Sequence, residues 1–237
     1  MRVFLCVGVL AGGLAASGEE SKPFVDYSEK TRDYLKRVQQ GEQRHAFKGG
    51  EDVTNWQVEA RAALVRVTGL ERMRRELSSF RPKVTEGQVV EIEESHYRSL
   101  CTIETEPGVS IPFYLLVPRV AGKDGPFPLF LCPHGHDRLG LHAYAGSYRN
   151  KEHREKTLAR EGNMAEQAVR RGFVALAPAT RGLADEVLVP DPKGRHGNRP
   201  CRAQFMHCLV AGRTPMAERI WDMQCLLDWA VLHPLVD

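Results

Sequence analysis

Apolar positions change their period once along this chain, and the change divides it. Over 24–40, Phe24, Tyr27, Tyr34, Leu35 and Val38 recur at roughly helical spacing, and Gly41 follows as a stop. A polar stretch through Gly49 and Gly50 leads to Asn55, suited to cap a second helix over 56–79. There Val58, Ala62, Leu64, Val65, Leu70, Met73 and Leu77 make an apolar stripe, interrupted at Gly69, with arginines on the solvated face. From Gly87 the runs shorten. Residues 89–93 and 99–104 read as strands, Glu106-Pro107-Gly108 as a turn, and 111–117 as a strand closed by Pro118. The proline-bounded run 128–132 suits a buried strand. After a long loop, 163–171 is amphipathic and ends at Gly172, and 173–177 follows as another buried strand. Residues 182–213 read as a second long loop, after which Thr214-Pro215 opens a helix to about Leu232.

Antiparallel strands first, then strand–helix–strand–helix, is the order of a mixed sheet with parallel crossovers, so the expected fold class is α/β. The expected organisation is a signal peptide over 1–17, a helical extension over 18–80, and the α/β domain over 81–237. Met1-Arg2 is followed by an uncharged apolar run, 3–16, with Ala15 and Ser17 at cleavage spacing. A buried N-terminal helix is the competing reading, disfavoured by glycines at 8, 12 and 13. The run is too short to span a bilayer comfortably, and bulky Phe4 and Leu5 precede Cys6 where a lipoprotein site needs small residues. Export without membrane anchoring is expected, to the periplasm or the exterior.

Composition narrows the choice of partner. The 237 residues carry 33 Lys+Arg against 30 Asp+Glu, a net charge of +3 too small and too interleaved for a dedicated nucleic-acid binder. Of six cysteines, Cys6 falls in the signal segment, and the odd remainder excludes a disulfide framework. Cys201 and Cys208 are close enough in sequence to pair in an oxidising compartment, or they stay unbonded.

The chemistry concentrates in Leu129-Phe130-Leu131-Cys132-Pro133-His134-Gly135-His136, a buried strand ending in His-Gly. Behind it come the helix and strand to Pro178, the loop Ala179-Thr180-Arg181-Gly182, then Arg219-Ile220-Trp221-Asp222 and His233-Pro234-Leu235-Val236-Asp237. In order and spacing, residues from about 85 to 237 resemble secreted bacterial esterases of the acetyl xylan esterase and dienelactone-hydrolase-like group of α/β-hydrolases. The resemblance implies a serine-type carboxylic ester hydrolase without cofactor or metal, acting on a small-molecule or carbohydrate ester. It places His134, Gly135 and His136 in the oxyanion-hole region, where a backbone N–H binds the tetrahedral intermediate. Arg181 and Gly182 would lie on a loop near the pocket.

The departure from that family is equally specific. No Gly-x-Ser-x-Gly occurs, and the resemblance covers only the N-terminal half, ending before the nucleophile elbow. No triad residue is therefore expected in this chain, which should be inactive alone, with an apolar sheet edge and poor solubility. Ser147 lacks the strand–turn–helix context of a nucleophile, the oxyanion-loop histidines and His142 read as packing or solvent contacts, and Asp222 reads as ordering a loop. Two rival functions stay open. His134-Gly135-His136-Asp137 with His142 is similar to the zinc motif of metallo-β-lactamase-like proteins, although the acid falls one place early and Arg138 stands where the family has Asp. A non-catalytic binding module would stack sugars on Trp56, Trp221 and Trp229, residues that at helical positions suit a core equally. Arg181, Arg195, Arg199, Arg202 and Arg213 give the second long loop a basic character that would steer an acidic substrate such as a uronic-acid polysaccharide.

Overall fold

The structure, a computed structural model, describes residues 28–41, 43–191, 194–195 and 200–237. The expected signal peptide and residues 24–27 of the first helix lie outside the described residues. The chain divides into two compact units, Met1–Glu51 and Asp52–Asp237. In the first, helix α1 (Ser28–Gln39) leaves Tyr34, Leu35 and Val38 exposed. The second begins well before residue 81, because the helices that follow Asp52 pack on the α/β core rather than apart from it.

Helix α2 (Val53–Thr68) starts earlier than its stripe suggests. Asp52, not Asn55, is the cap: its Oδ1 accepts the Asn55 backbone N–H at 2.8 Å. Nor does one helix run to 79. Gly69, at φ 82°, ends α2 in the left-handed conformation and starts α3 (Leu70–Glu76), whose Leu70 and Met73 pack with Leu77 and Ala217. A side chain at Gly69 would also strike the Gly212 carbonyl.

The sheet of the described residues has the order β1-β3-β4-β6-β5, with β2 also paired to β3. Its strands are β1 (Lys83–Thr85), β2 (Val89–Ile92), β3 (His96–Glu106), β4 (Val109–Pro118), β5 (Leu129–Leu131) and β6 (Val174–Pro178). All pairings are antiparallel except β5 with β6, which is parallel and crossed over by α6 (Met164–Val169). β6 is buried along its whole length, which is why 173–177 reads as a continuous apolar run. Neighbouring residues of β4 point to opposite faces. Phe113 meets Trp229 of α8 (Pro215–Ala230) edge-on at 5.5 Å, and Tyr114 meets His142 of α4 (Gly140–Tyr144) at 5.6 Å.

Both expected long loops contain helices. α4 and α5 (Lys151–Ala159) fill the first, and the second holds a short 3-10 turn (Asp185–Val187) and α7 (Pro200–Val210). α7 buries only Ala203, Gln204 and Cys208, leaving Phe205, Met206, Leu209 and Val210 exposed, so it shows no clean stripe. It also settles the cysteines. Cys201 and Cys208 are both free, and seven residues of one helix separate their Cα atoms by about 10 Å, beyond disulfide reach.

One buried ionic cluster joins these elements. Arg181, just past β6, donates from Nε to Asp222 Oδ2 at 3.0 Å and from Nη1 to Glu106 Oε1 at 2.6 Å, while Nη2 also engages Asp222. Thr105 Oγ1 donates to Asp222 Oδ1 at 2.7 Å, and Arg213 holds the other Glu106 oxygen at 2.7 Å. Asp222, 1% exposed, thus orders the loop after β6. Burial works against the charged guanidinium of Arg181, yet Asp222 and Glu106 outweigh it and hold its pKa above the ordinary value. Burial likewise opposes ionised Glu106, but Arg181 and Arg213 keep its carboxyl below the ordinary range.

Removing one partner should cost more than the pair contributes, because the other charge stays buried. Asp222→Ala is expected to lower unfolding stability by about 3–5 kcal/mol, and Arg181→Met with Asp222→Leu to recover only part of it because Glu106 then keeps only Arg213, read by urea denaturation. A second prediction concerns His96, fully buried, whose Nε2 has no hydrogen-bond partner. Burial, helped by Arg170, pushes its pKa from 6.5 down to about 4. Between those values the unfolded chain binds a proton that the folded one refuses. Its contribution is therefore intact above pH 6.5 and falls by about 3 kcal/mol on acidification to pH 4. Urea midpoints across that window should fall steeply for the parent and less for His96→Gln.

Candidate functional site

β5 continues its pairing through Cys132, whose N–H donates to Leu176 O at 2.8 Å, and Pro133 then turns the chain out of the sheet. His134 comes next and is 3% exposed. Its Nε2 accepts the Thr180 backbone N–H at 2.9 Å, which leaves the ring proton on Nδ1, 2.8 Å from Gly135 O. The Thr180 hydroxyl donates to His134 O at 2.8 Å. Burial, partly offset by the Gly135 carbonyl, keeps the imidazole pKa below the ordinary value. Gly140 lies flat against the ring, where any Cβ would overlap it. His134 is thus a staple between the loops that follow β5 and β6, and both its nitrogens are spent on backbone.

The staple presents two amides. Gly135 and His136 are exposed, and their backbone N–H groups make no hydrogen bond among the described residues. The Asp137 N–H folds back on Gly135 O at 2.8 Å, so the peptide planes of this turn are fixed. Adjacent fixed donors at the carboxyl end of a parallel strand are what stabilisation of a developing oxyanion requires.

The metal reading fares poorly on its own ligands. His134 has no lone pair to offer. Asp137 accepts from the Leu139 N–H at 3.0 Å and from Arg160 at 2.5 Å. His142 is held between the Tyr114 hydroxyl at 3.0 Å and Glu186 at 2.8 Å. Among the described residues no group of three or more His, Cys, Asp or Glu side chains is placed to hold a metal ion. Ser147 Oγ lies 3.0 Å from the Tyr114 hydroxyl, which separates it from His142, so it has no direct base. Trp221 donates to Thr105 O at 2.7 Å and Trp229 packs on Phe113, so both tryptophans belong to the core.

Two clefts flank the amides. One, about 460 Å³, is apolar and lies between the β5 edge and α8, lined by Leu131, Pro133, Met216, Ile220 and Met223. The other, about 430 Å³, is lined by His136, Arg138, Gly182, Leu183, Cys201 and Arg202. Gly182 borders this second cleft, whereas the Arg181 side chain turns inward to the ionic cluster. Arg213 also points into that cluster, and Arg199 lies outside the described residues. Larger clefts beside Phe127 and beside Phe80 border neither amide.

The outer edge of β5 is already in use at one point. The Phe127 N–H donates to Leu235 O at 2.8 Å and the Asp237 N–H to Phe127 O at 2.9 Å, a parallel bridge between Phe127 and Val236. By alternation the backbone groups of Leu129 and Leu131 face the same way, toward the apolar cleft.

The sequence marks the turn after β5 by its His-Gly but gives no sign of the Gly140 contact or of Thr180, whose bond to His134 spans forty-six positions. Gly140→Ala should push the ring off Thr180 and destabilise the fold by about 1–3 kcal/mol. Nitrogen-15 NMR at neutral pH should show parent His134 neutral with its proton on Nδ1, and titrating below an ordinary imidazole, with this signature lost in Gly140→Ala.

No protein-family model matches the chain, and no curated protein matches its sequence. Among solved structures it is similar to a "putative acetyl xylan esterase" from Bacteroides fragilis, with a TM-score of 0.66 and 17% identity. That alignment covers 93% of this chain and 54% of the other, so this chain spans about half that protein's length. A methylesterase aligns with a TM-score of 0.45 at 16% identity, over 75% of this chain and 32% of its own. The first likeness is one of fold: a mixed α/β sheet with helices, of the esterase-like kind.

Proposed function

We propose that residues 81–237 form the oxyanion-side half of a serine-type carboxylic ester hydrolase, exported from the cell and acting on a small-molecule or carbohydrate ester. The observation that carries this reading is the pair of free, staple-fixed amides at Gly135 and His136, beside a β5 edge open to a parallel strand. A strand continuing the Phe127–Val236 register would pair with Leu129 and Leu131 and end level with those amides. In this reading it brings the nucleophile, and the serine oxygen attacks the ester carbonyl as its proton passes to a histidine. The carbonyl oxygen becomes an oxyanion held by the amides, the alkoxide leaves with that proton, and water then releases the acid. The chain's own part is to bind the ester and hold the oxyanion. No cofactor or metal enters the reaction, and neither nucleic acid nor a membrane anchor is a partner. No helix among the described residues is long and apolar enough to cross a membrane.

The test starts at the gene. The frame beyond the Asp237 codon is expected to encode Gly-x-Ser-x-Gly within a few residues. The whole product should hydrolyse aryl acetates, and replacing that serine with alanine should lower kcat by about 10⁶-fold. The 237-residue chain alone should show no turnover above background. Turnover by that chain, or an extended product inert on aryl acetates, would overturn the proposal.

A further inference from the structure

The second cleft beside the oxyanion turn is built asymmetrically in charge. Two of its three basic side chains are cationic arginines, no acid is among its lining residues, and the neighbouring acids Asp185 and Glu186 are already occupied. Arg138 pairs with Asp185, and Glu186 with His142. Arg202, on the first turn of α7, lines the cleft and makes no hydrogen bond or ion pair among the described residues. The cleft therefore keeps one uncompensated guanidinium, and no unpaired carboxylate is among its lining residues. His136 joins the two features: its side chain lines this cleft, and its amide is one of the two free donors.

We infer that this cleft is the subsite for a carboxylate carried by the ester substrate, with Arg202 as the residue that selects for it; the inference rests on the esterase reading above. A guanidinium presents parallel N–H donors that match the two oxygens of a carboxylate. Close to the reacting carbonyl, that contact fixes which way the ester lies across the Gly135 and His136 amides. The substrate class is thus an ester of an acidic sugar, the uronate type, rather than of a neutral one. Of the other described arginines of that basic stretch, Arg181 and Arg213 are consumed by Glu106, Glu218 and Asp222 and Arg195 does not line the cleft, which leaves Arg202 to act.

The probes are methyl glucuronoside and methyl glucoside, neither of them an ester, titrated into the extended product and followed by NMR at low ionic strength. The uronate should shift the His136 amide and the Arg202 Nε resonance, and the neutral glycoside should bind at least 10-fold more weakly. Arg202→Gln should remove that preference, Arg202→Lys should restore part of it, and Arg195→Gln, an exposed arginine outside the cleft, should leave it intact. Equal binding of the two glycosides, or a preference that survives Arg202→Gln, would overturn the inference. So would an equal loss on Arg195→Gln, which would mean a diffuse basic surface. Aryl acetate hydrolysis by the extended chain tests the esterase reading separately, because that substrate carries no carboxylate.

Discussion

A guanidinium carried into a protein interior must take its counter-charges with it, and Arg181 sets that requirement for the whole second unit. Its partners come from the β3–β4 corner through Glu106 and from α8 through Asp222. Arg213 extends the cluster to Glu76 at the end of α3. Arg219 closes it from the other side by donating to the Arg181 carbonyl at 2.9 Å and to Gln204 of α7. Helices that are apart in sequence therefore share one electrostatic knot, and the loop after β6 cannot move without leaving charge unpaired. A lysine in place of Arg181 would lack the planar fork that reaches Asp222 and Glu106 together.

That rigidity is passed on to the turn after β5 that carries Gly135 and His136. Thr180 is the neighbour of Arg181, so the amide that holds His134 belongs to the same immobilised loop. The imidazole then fixes the turn by hydrogen bonds to backbone alone. A histidine beside a candidate active site invites a catalytic role, yet here its buried, neutral ring serves as a spacer of defined geometry. The groups left free for chemistry are two amides that carry no side-chain signature.

What the sequence discloses follows from how local its causes are. The strands at 99–104, 111–117 and 173–177 are legible because burial on one face or both writes itself into the period of the chain. α8 is legible because Thr214 and Pro215 mark its start. The break at Gly69 shows only as an interruption in a stripe, since the Gly212 carbonyl that crowds it comes from another segment. α7 is hidden because most of its apolar residues face outward, and the cysteine spacing misleads once that segment is taken for a loop. At the candidate site, the turn after β5 is marked in the sequence by a strand ending in His-Gly. The fates of its arginines are not: Arg181 and Arg202 look alike in a basic stretch, and only tertiary placement neutralises one and leaves the other available.

The bridge between Phe127 and Val236 also has a consequence in time. A ribosome delivers Phe127, at the entry to β5, first and reaches its partner Val236 only 109 positions later. At roughly 5–20 residues per second, the outer backbone of Phe127 stays bare for about 5–20 seconds of synthesis. β6 and α8 emerge within that interval, so a nascent chain presents a half-built sheet with one sticky border.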